Sequence, residues 1–113
     1  MRVNQLSAIT VTADLLEQNR TGAVPSTVHW RLVCVETDAV LQDWTSVSYS
    51  STYGDDGAVA ESEATIEVSA LLHDMQTTDK SVERKALVVS CDKDLATEYN
   101  SELVYEVQRL SGR

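Results

Sequence analysis

Residues 25–49 read PSTVHWRLVCVETDAVLQDWTSVSY, and this stretch decides the fold class. In its first half, one face carries the apolar residues Val28, Trp30, Leu32 and Cys34. His29 and Arg31 fall on the opposite face, and this alternation is the period of a half-buried strand. The polar tetrad 36–39 then predicts a turn, and a second strand begins at Val40. The stretch therefore predicts a β-hairpin with one tryptophan on each strand.

Four other segments have strand-like patterns, and polar segments separate them. The predicted strands are residues 8–16, 65–72, 83–91 and 102–110, the last two paired with each other. Short strands at regular spacing are typical of a β-sandwich or small barrel. A helical turn is an alternative at 13–18 or at 71–76. We expect an all-β chain of about six to seven antiparallel strands. The predicted core anchors are Trp30, Leu32, Trp44, Val68 and Val107.

Length and charge narrow the function classes. The chain has 113 residues and a net charge of −9, which predicts one domain with an acidic surface. Such a surface repels phosphate backbones, so we expect no nucleic-acid partner. No apolar run approaches the roughly 20 residues that span a bilayer, so we expect no membrane partner. The N-terminus lacks the apolar core of a signal peptide, which predicts a soluble protein that is made in a cytoplasm.

The order Cys34, Trp44, Cys91 is similar to the Cys-Trp-Cys order of immunoglobulin domains, in which tryptophan packs on a disulfide. Two features argue against that disulfide. Val89 stands where the conserved tyrosine of those domains would lie, two residues before the second cysteine. The short turn also makes the Cys34 and Trp44 strands neighbours in one sheet. We therefore expect two free buried thiols.

Tyr53-Gly54-Asp55-Asp56 spells YGDD, a metal-binding motif of viral RNA polymerases. A polymerase needs a far longer chain with further acidic ligands, so we interpret these four residues as a solvated turn. They lie in the polar segment 50–64, which is predicted to be a mobile loop. They are the residues we expect to contact a partner, because loops carry interactions while strands supply rigidity.

No pattern for catalysis or cofactor binding stands out. The chain contains no G-x-S-x-G, G-x-G-x-x-G or P-loop sequence. His29 and His73 have no neighbours spaced to complete a zinc site or a catalytic triad. The sequence therefore predicts a protein without enzymatic activity and without a cofactor or metal.

The hairpin stretch resembles small virion structural proteins of tailed bacteriophages. The resemblance rests on Pro25, the run 28–32 (VHWRL), Thr37 and the run 40–45 (VLQDWT), and it extends to the ending 105–110 (YEVQRL). It implies an immunoglobulin-like or fibronectin-III-like sandwich and a structural role in the virion. Capsid decoration, by binding the major capsid protein in multiple copies, is the role we expect first.

Other functions stay open at this point. A head–tail connector or tail component is the first alternative, and a cytoplasmic β-sandwich adaptor or carbohydrate-binding module is the second. Sugar binding would need Tyr49, Tyr53 or Tyr99 aligned on one open face. For a virion protein, residues 1–24, comprising the first strand and its connecting loop, are a second expected partner contact.

Overall fold

Eight strands form in the computed structural model, which describes residues 1–15, 26–53, 55, 59–96 and 98–110. They are β1 (Arg2–Asn4), β2 (Ile9–Asp14), β3 (Val28–Cys34), β4 (Val40–Ser46), β5 (Tyr49–Tyr53), β6 (Val59–Val68), β7 (Val82–Cys91) and β8 (Tyr99–Gln108). A short 3₁₀ helix at Ala70–His73 lies between β6 and β7.

The strands form two sheets packed as a sandwich, which confirms the all-β prediction. The large sheet has the order β1-β8-β7-β3-β4, and the small sheet has the order β2-β6-β5. Neighbouring strands are antiparallel except β1, which runs parallel to β8. If β2 to β8 are lettered B, C, C′, D, E, F and G, the sheets read B-E-D and G-F-C-C′. That is the strand order of an immunoglobulin-type sandwich.

The predicted hairpin is β3 and β4. Asp38 in its turn has φ of 59°, in the left-handed region that aspartate tolerates well. The Cys34 amide donates to the Ala39 carbonyl at 2.9 Å and closes the turn. On β3, buried and half-buried side chains alternate without interruption, as the sequence pattern predicts. The fold is therefore organised around the strand with the clearest period in the chain.

The core lies between the inner faces of the two sheets. Its fully or nearly fully buried members include Trp30, Leu32, Ile66, Val68, Leu87, Val89 and Val107. Four of the five predicted core anchors are among them, with Trp44 as the exception. Trp30 pairs with Val89 on β7, at the centre of the large sheet.

Trp44 lies outside this core, contrary to the prediction. Trp30 pairs with Thr45, but Leu32 pairs with Gln42, so Asp43 and Trp44 together oppose a single residue of β3. This irregularity is a β-bulge, and a bulge re-aims the side chains of its strand. The Trp44 ring is half-buried on the outer face of the large sheet.

Several predicted element bounds also change. β1 was not predicted, and the expected polar loop at 50–64 is largely the pair of strands β5 and β6. β6 begins at Val59 instead of residue 65 and ends at Val68, where the 3₁₀ helix replaces the expected strand end. Residues 17–25 of the predicted loop at 17–26 lie outside the described residues. Cys34 and Cys91 are free and buried on neighbouring strands of the large sheet.

Candidate protein-binding surfaces

The β5–β6 hairpin extends beyond its neighbour in the small sheet. Within the described residues, β2 accompanies β6 as far as the pair Asp14 and Glu63. The hairpin continues past this point through the pairs Ser51–Ser62, Thr52–Glu61 and Tyr53–Val59. The two serine hydroxyls lie 3.0 Å apart and link the strands there. The turn between β5 and β6 is therefore carried beyond the end of β2.

Two of the four residues expected to contact a partner are described, and both fall at this turn. Tyr53 is the last residue of β5, and Asp55 is exposed in the turn that follows. Gly54 and Asp56 lie outside the described residues. The described part of the expected contact thus lies at the end of a hairpin whose base belongs to the small sheet.

The N-terminal segment is built into the fold where it is described. β1 pairs with the end of β8, and Val3 is buried among the core residues. The Arg2 guanidinium forms an exposed ion pair with Glu106 at 3.1 Å. Gln5 is buried, and its side-chain carbonyl accepts from the Leu110 amide at 2.8 Å. Residues 16–24 of the expected contact lie outside the described residues.

An apolar row crosses the outer face of the large sheet, the face turned away from the core. We call Val40, Val33, Ala86 and Val104 the apolar strip, since each pairs with the next across β4, β3, β7 and β8. Val40 is 51% exposed and Val104 is 46% exposed. Ala86 is buried, although it lies outside the core cluster, because its neighbours in the row cover it.

A cation–π cluster lies beside the apolar strip. The Arg31 guanidinium is 4.9 Å from the centre of the Trp44 ring, and the Lys93 ammonium is 5.3 Å from it. Arg31 Nε and His29 Nδ1 are buried there without a hydrogen-bond partner among the described residues. The bulge in β4 brings the indole over Arg31 and so creates this cluster.

A buried ion pair lies at the other end of β7, inside the sandwich. The Lys85 ammonium is 2.8 Å from Glu83 Oε1, and both side chains are fully buried. The Glu83 carboxylate also accepts from the backbone amides of Gln76 and Thr77. Burial alone would raise the pKa of Glu83, but these hydrogen bonds outweigh it and lower the pKa to about 2. Glu83 thus anchors the β6–β7 connection to the sheet.

His73 forms the second anchor of that connection. Its Nδ1 contacts the Ser7 carbonyl, which can only accept, so Nδ1 carries the proton. Nε2 then accepts from the Tyr105 hydroxyl at 2.7 Å. Burial, together with the charge of Lys85, lowers the pKa of His73, although the bond to Ser7 opposes this shift. His73 is fully buried, and a neutral imidazole suits this arrangement.

These buried groups were missed by sequence reasoning, yet the sequence contains a signal for them. Cys34, Lys85 and Tyr105 pair in one row across β3, β7 and β8. Alternate residues of a strand point to the same face, and Leu87 of β7 points to the core. Glu83 and Lys85 alternate with it, so two charged side chains also point inward. Charges at inward positions need partners, and the partners are each other and the chain segment 74–77.

Of the tyrosines that sugar binding would need on one open face, Tyr49 and Tyr99 have described side chains. Tyr49 and Tyr99 are half-buried and pack against the core cluster. The Tyr99 hydroxyl donates to the Leu15 carbonyl at 3.4 Å. The side chain of Tyr53 is not described. Of the predicted set, Tyr49 and Tyr99 therefore belong to the core side of the sandwich.

The described residues contain neither a cluster of metal-ligating side chains nor a helix suited to crossing a membrane. Within them, no group of three or more histidine, cysteine or acidic side chains is placed to hold a metal ion. No helix in the described part of the chain is long and apolar enough to cross a membrane.

Comparisons with models of protein families, with curated proteins and with solved structures give no significant match to this chain.

Proposed function

We propose that the chain is a structural protein of a tailed-phage virion that decorates the capsid by binding the major capsid protein. It acts without catalysis and in multiple copies on the particle. The observation that carries the proposal is the β5–β6 hairpin, which extends past β2 and ends at the turn containing Asp55. The resemblance of the hairpin stretch to virion proteins supplies the identity of the partner.

The physical properties of the chain support this role. A decoration protein stays soluble before assembly, and a net charge of −9 favours solubility. The two strands below the tip are paired with each other, so that part of the hairpin is already ordered before it binds. An acidic tip favours a partner surface with basic residues.

Co-sedimentation with phage particles tests the proposal. The protein is mixed with purified capsids and, separately, with tails of the phage that encodes it, and the bound fraction is measured. We expect binding to capsids, and we expect Asp55→Lys to weaken it roughly tenfold because a charge at the contact is reversed.

Asp79→Lys is the matched control. Asp79 is also exposed, but it lies in the connection that follows the opposite end of β6. The control should bind capsids as the wild type does. Binding to tails alone would replace capsid decoration by the connector or tail role, and binding to neither particle would contradict the virion role.

A further inference from the structure

On the outer face of the large sheet, Arg31 and Glu102 form no ion pair with any described residue. Arg31 on β3, Val88 on β7 and Glu102 on β8 pair across the sheet and form one row, the charged row. Three ion pairs lie on or beside this face, Arg84 with Glu36, Arg2 with Glu106 and Lys93 with Asp94. The Asp43 carboxylate on β4 accepts from the Trp44 amide instead.

Arg31 and Glu102 are too far apart to pair within one copy. They lie on strands separated by β7, so their backbones are about 10 Å apart at the usual strand spacing. Arg31 is instead held against the Trp44 ring, which restricts its rotamers, and Glu102 is exposed. The face therefore carries opposite charges on its two sides with Val88 between them.

This arrangement is self-complementary. A two-fold axis that is parallel to the strands and passes over β7 puts β3 of one copy opposite β8 of the other. Positions along the strands do not change, so Arg31 faces Glu102 of the second copy, and Glu102 faces its Arg31. Three members of the apolar strip obey the same symmetry, because Val33 then faces Val104 and Ala86 faces Ala86. Val40 on β4 lies opposite the β1 side of the second copy.

We propose that the outer face of the large sheet binds a second copy of this chain and forms a two-fold symmetric dimer. The apolar strip contributes burial of apolar area, and the charged row sets the register of the two copies. Aligned packing of two sheets, about 10 Å apart, is an ordinary geometry for β-proteins. The inference does not depend on the virion role, since it concerns the purified protein alone.

Charge reversal with analytical ultracentrifugation over a concentration series tests the dimer. In a dimer of Arg31→Glu, the new glutamate faces Glu102 of the other copy. In a dimer of Glu102→Arg, the new arginine faces Arg31 of the other copy. Each variant alone should therefore raise the dissociation constant of the dimer about tenfold. In an equimolar mixture, every Glu of one variant faces an Arg of the other. The mixture should therefore form a heterodimer within about threefold of the wild-type affinity.

The controls reverse charge at exposed positions away from this face. Lys80 lies in the β6–β7 connection, and Glu67 lies on the outer face of the small sheet. The variants Lys80→Glu and Glu67→Arg should both dimerise as the wild type does. Because Arg31 stacks on Trp44, Glu102→Arg gives a reading that does not disturb that stack. A wild-type monomer at every concentration, a dimer unaffected by both reversals, or a mixture without recovery would each overturn the proposal.

Discussion

The two tryptophans differ in their surroundings, although both follow an alternating strand pattern. Trp30 is 7% exposed and packs in the core, whereas Trp44 is half-buried over Arg31. The difference comes from the bulge in β4, which no local sequence pattern predicts. Period alone assigns a face correctly only while the pairing register stays regular.

The difference predicts unequal costs for removing each indole. Trp30→Ala should lower the free energy of unfolding by about 3–5 kcal/mol, as for a large aromatic removed from a core. Trp44→Ala should lower it by roughly 1–2 kcal/mol, because it loses partial burial and cation–π contacts only. Urea denaturation measures both values, and equal losses would contradict the assignment of Trp44 to the outer face.

Glu83 and Lys85 form a pair in which the acid has more contacts than the base. Glu83 accepts from the Lys85 ammonium, from two backbone amides and from the Cys34 thiol at 3.8 Å. The Lys85 ammonium donates to Glu83 and to the Asp74 carbonyl at 3.3 Å. Loss of Glu83 therefore leaves more buried polar groups without a partner than loss of Lys85.

We predict that Glu83→Leu costs about 3–5 kcal/mol of unfolding free energy, the range for removing one member of a buried pair. Lys85→Met should cost less, because Glu83 keeps its amide donors. The double variant should stay well below wild-type stability, since the Gln76 and Thr77 amides remain without their acceptor. Chemical denaturation of all three variants checks this order, and a double variant as stable as wild type would refute the anchoring role.

At the scale of elements, the β6–β7 connection is held in place by its polar contacts with the sheet. His73 contacts the N-terminal segment through Ser7 and contacts β8 through Tyr105. The Leu6 amide also donates to the His73 carbonyl at 3.2 Å. One residue therefore joins the segment before β2, the 3₁₀ helix and β8.

This contact predicts a pH dependence of stability. The pKa of His73 is lowered in the fold, so the unfolded chain takes up a proton near pH 6.5 while the folded chain takes it up only at lower pH. The contribution of His73 to the free energy of unfolding is therefore complete above pH 6.5. It decreases as the pH falls below that value, by at most about 1.4 kcal/mol per pH unit.

His73→Gln is the control for this dependence. The variant should be less stable at neutral pH, and the decrease in stability just below pH 6.5 should disappear. Glu83 does not confound the measurement, because its pKa moves from 4.5 to about 2, and its contribution is lost only below that window. Denaturation curves at a series of pH values measure the slope, and an unchanged slope in the variant would contradict it.

The strands that could be predicted are those in which apolar and polar residues alternate regularly over many positions. The strands β3, β7 and β8 are long enough for the alternation of inward and outward side chains to be visible in the sequence. Each of them also has buried residues on its inward face. β1 has three residues, too few to show a period, and β5 reads YSSTY, which is polar enough to resemble a loop. Both depend on pairing with a distant strand, which a local pattern does not contain.

The candidate surfaces could be predicted only in part. The turn at 53–56 was found from its glycine and aspartates, since these residues favour turns wherever they lie. The apolar strip and the charged row combine residues from separate strands, so they exist only once the register of β3, β7 and β8 is known. Neither surface has a continuous signature in the chain.

At the scale of the whole molecule, the two proposed interactions use two separate surfaces. The β5–β6 hairpin tip belongs to the small sheet, and the proposed dimer face belongs to the large sheet. A dimer through the large sheet would leave both hairpin tips free to bind capsid subunits. Two tips on one dimer would also raise the effective concentration of the second contact after the first forms.

Hydrogen–deuterium exchange of the protein, free and bound to capsids, tests the capsid contact most directly. We predict slower exchange in the turn between β5 and β6, from Tyr53 to Val59, when capsids are present. The turn at Glu36–Ala39, at the end of the large sheet, serves as the internal control and should exchange at the same rate in both states. Protection at that turn with none at the β5–β6 turn, or no protection anywhere, would contradict a capsid contact through the hairpin tip.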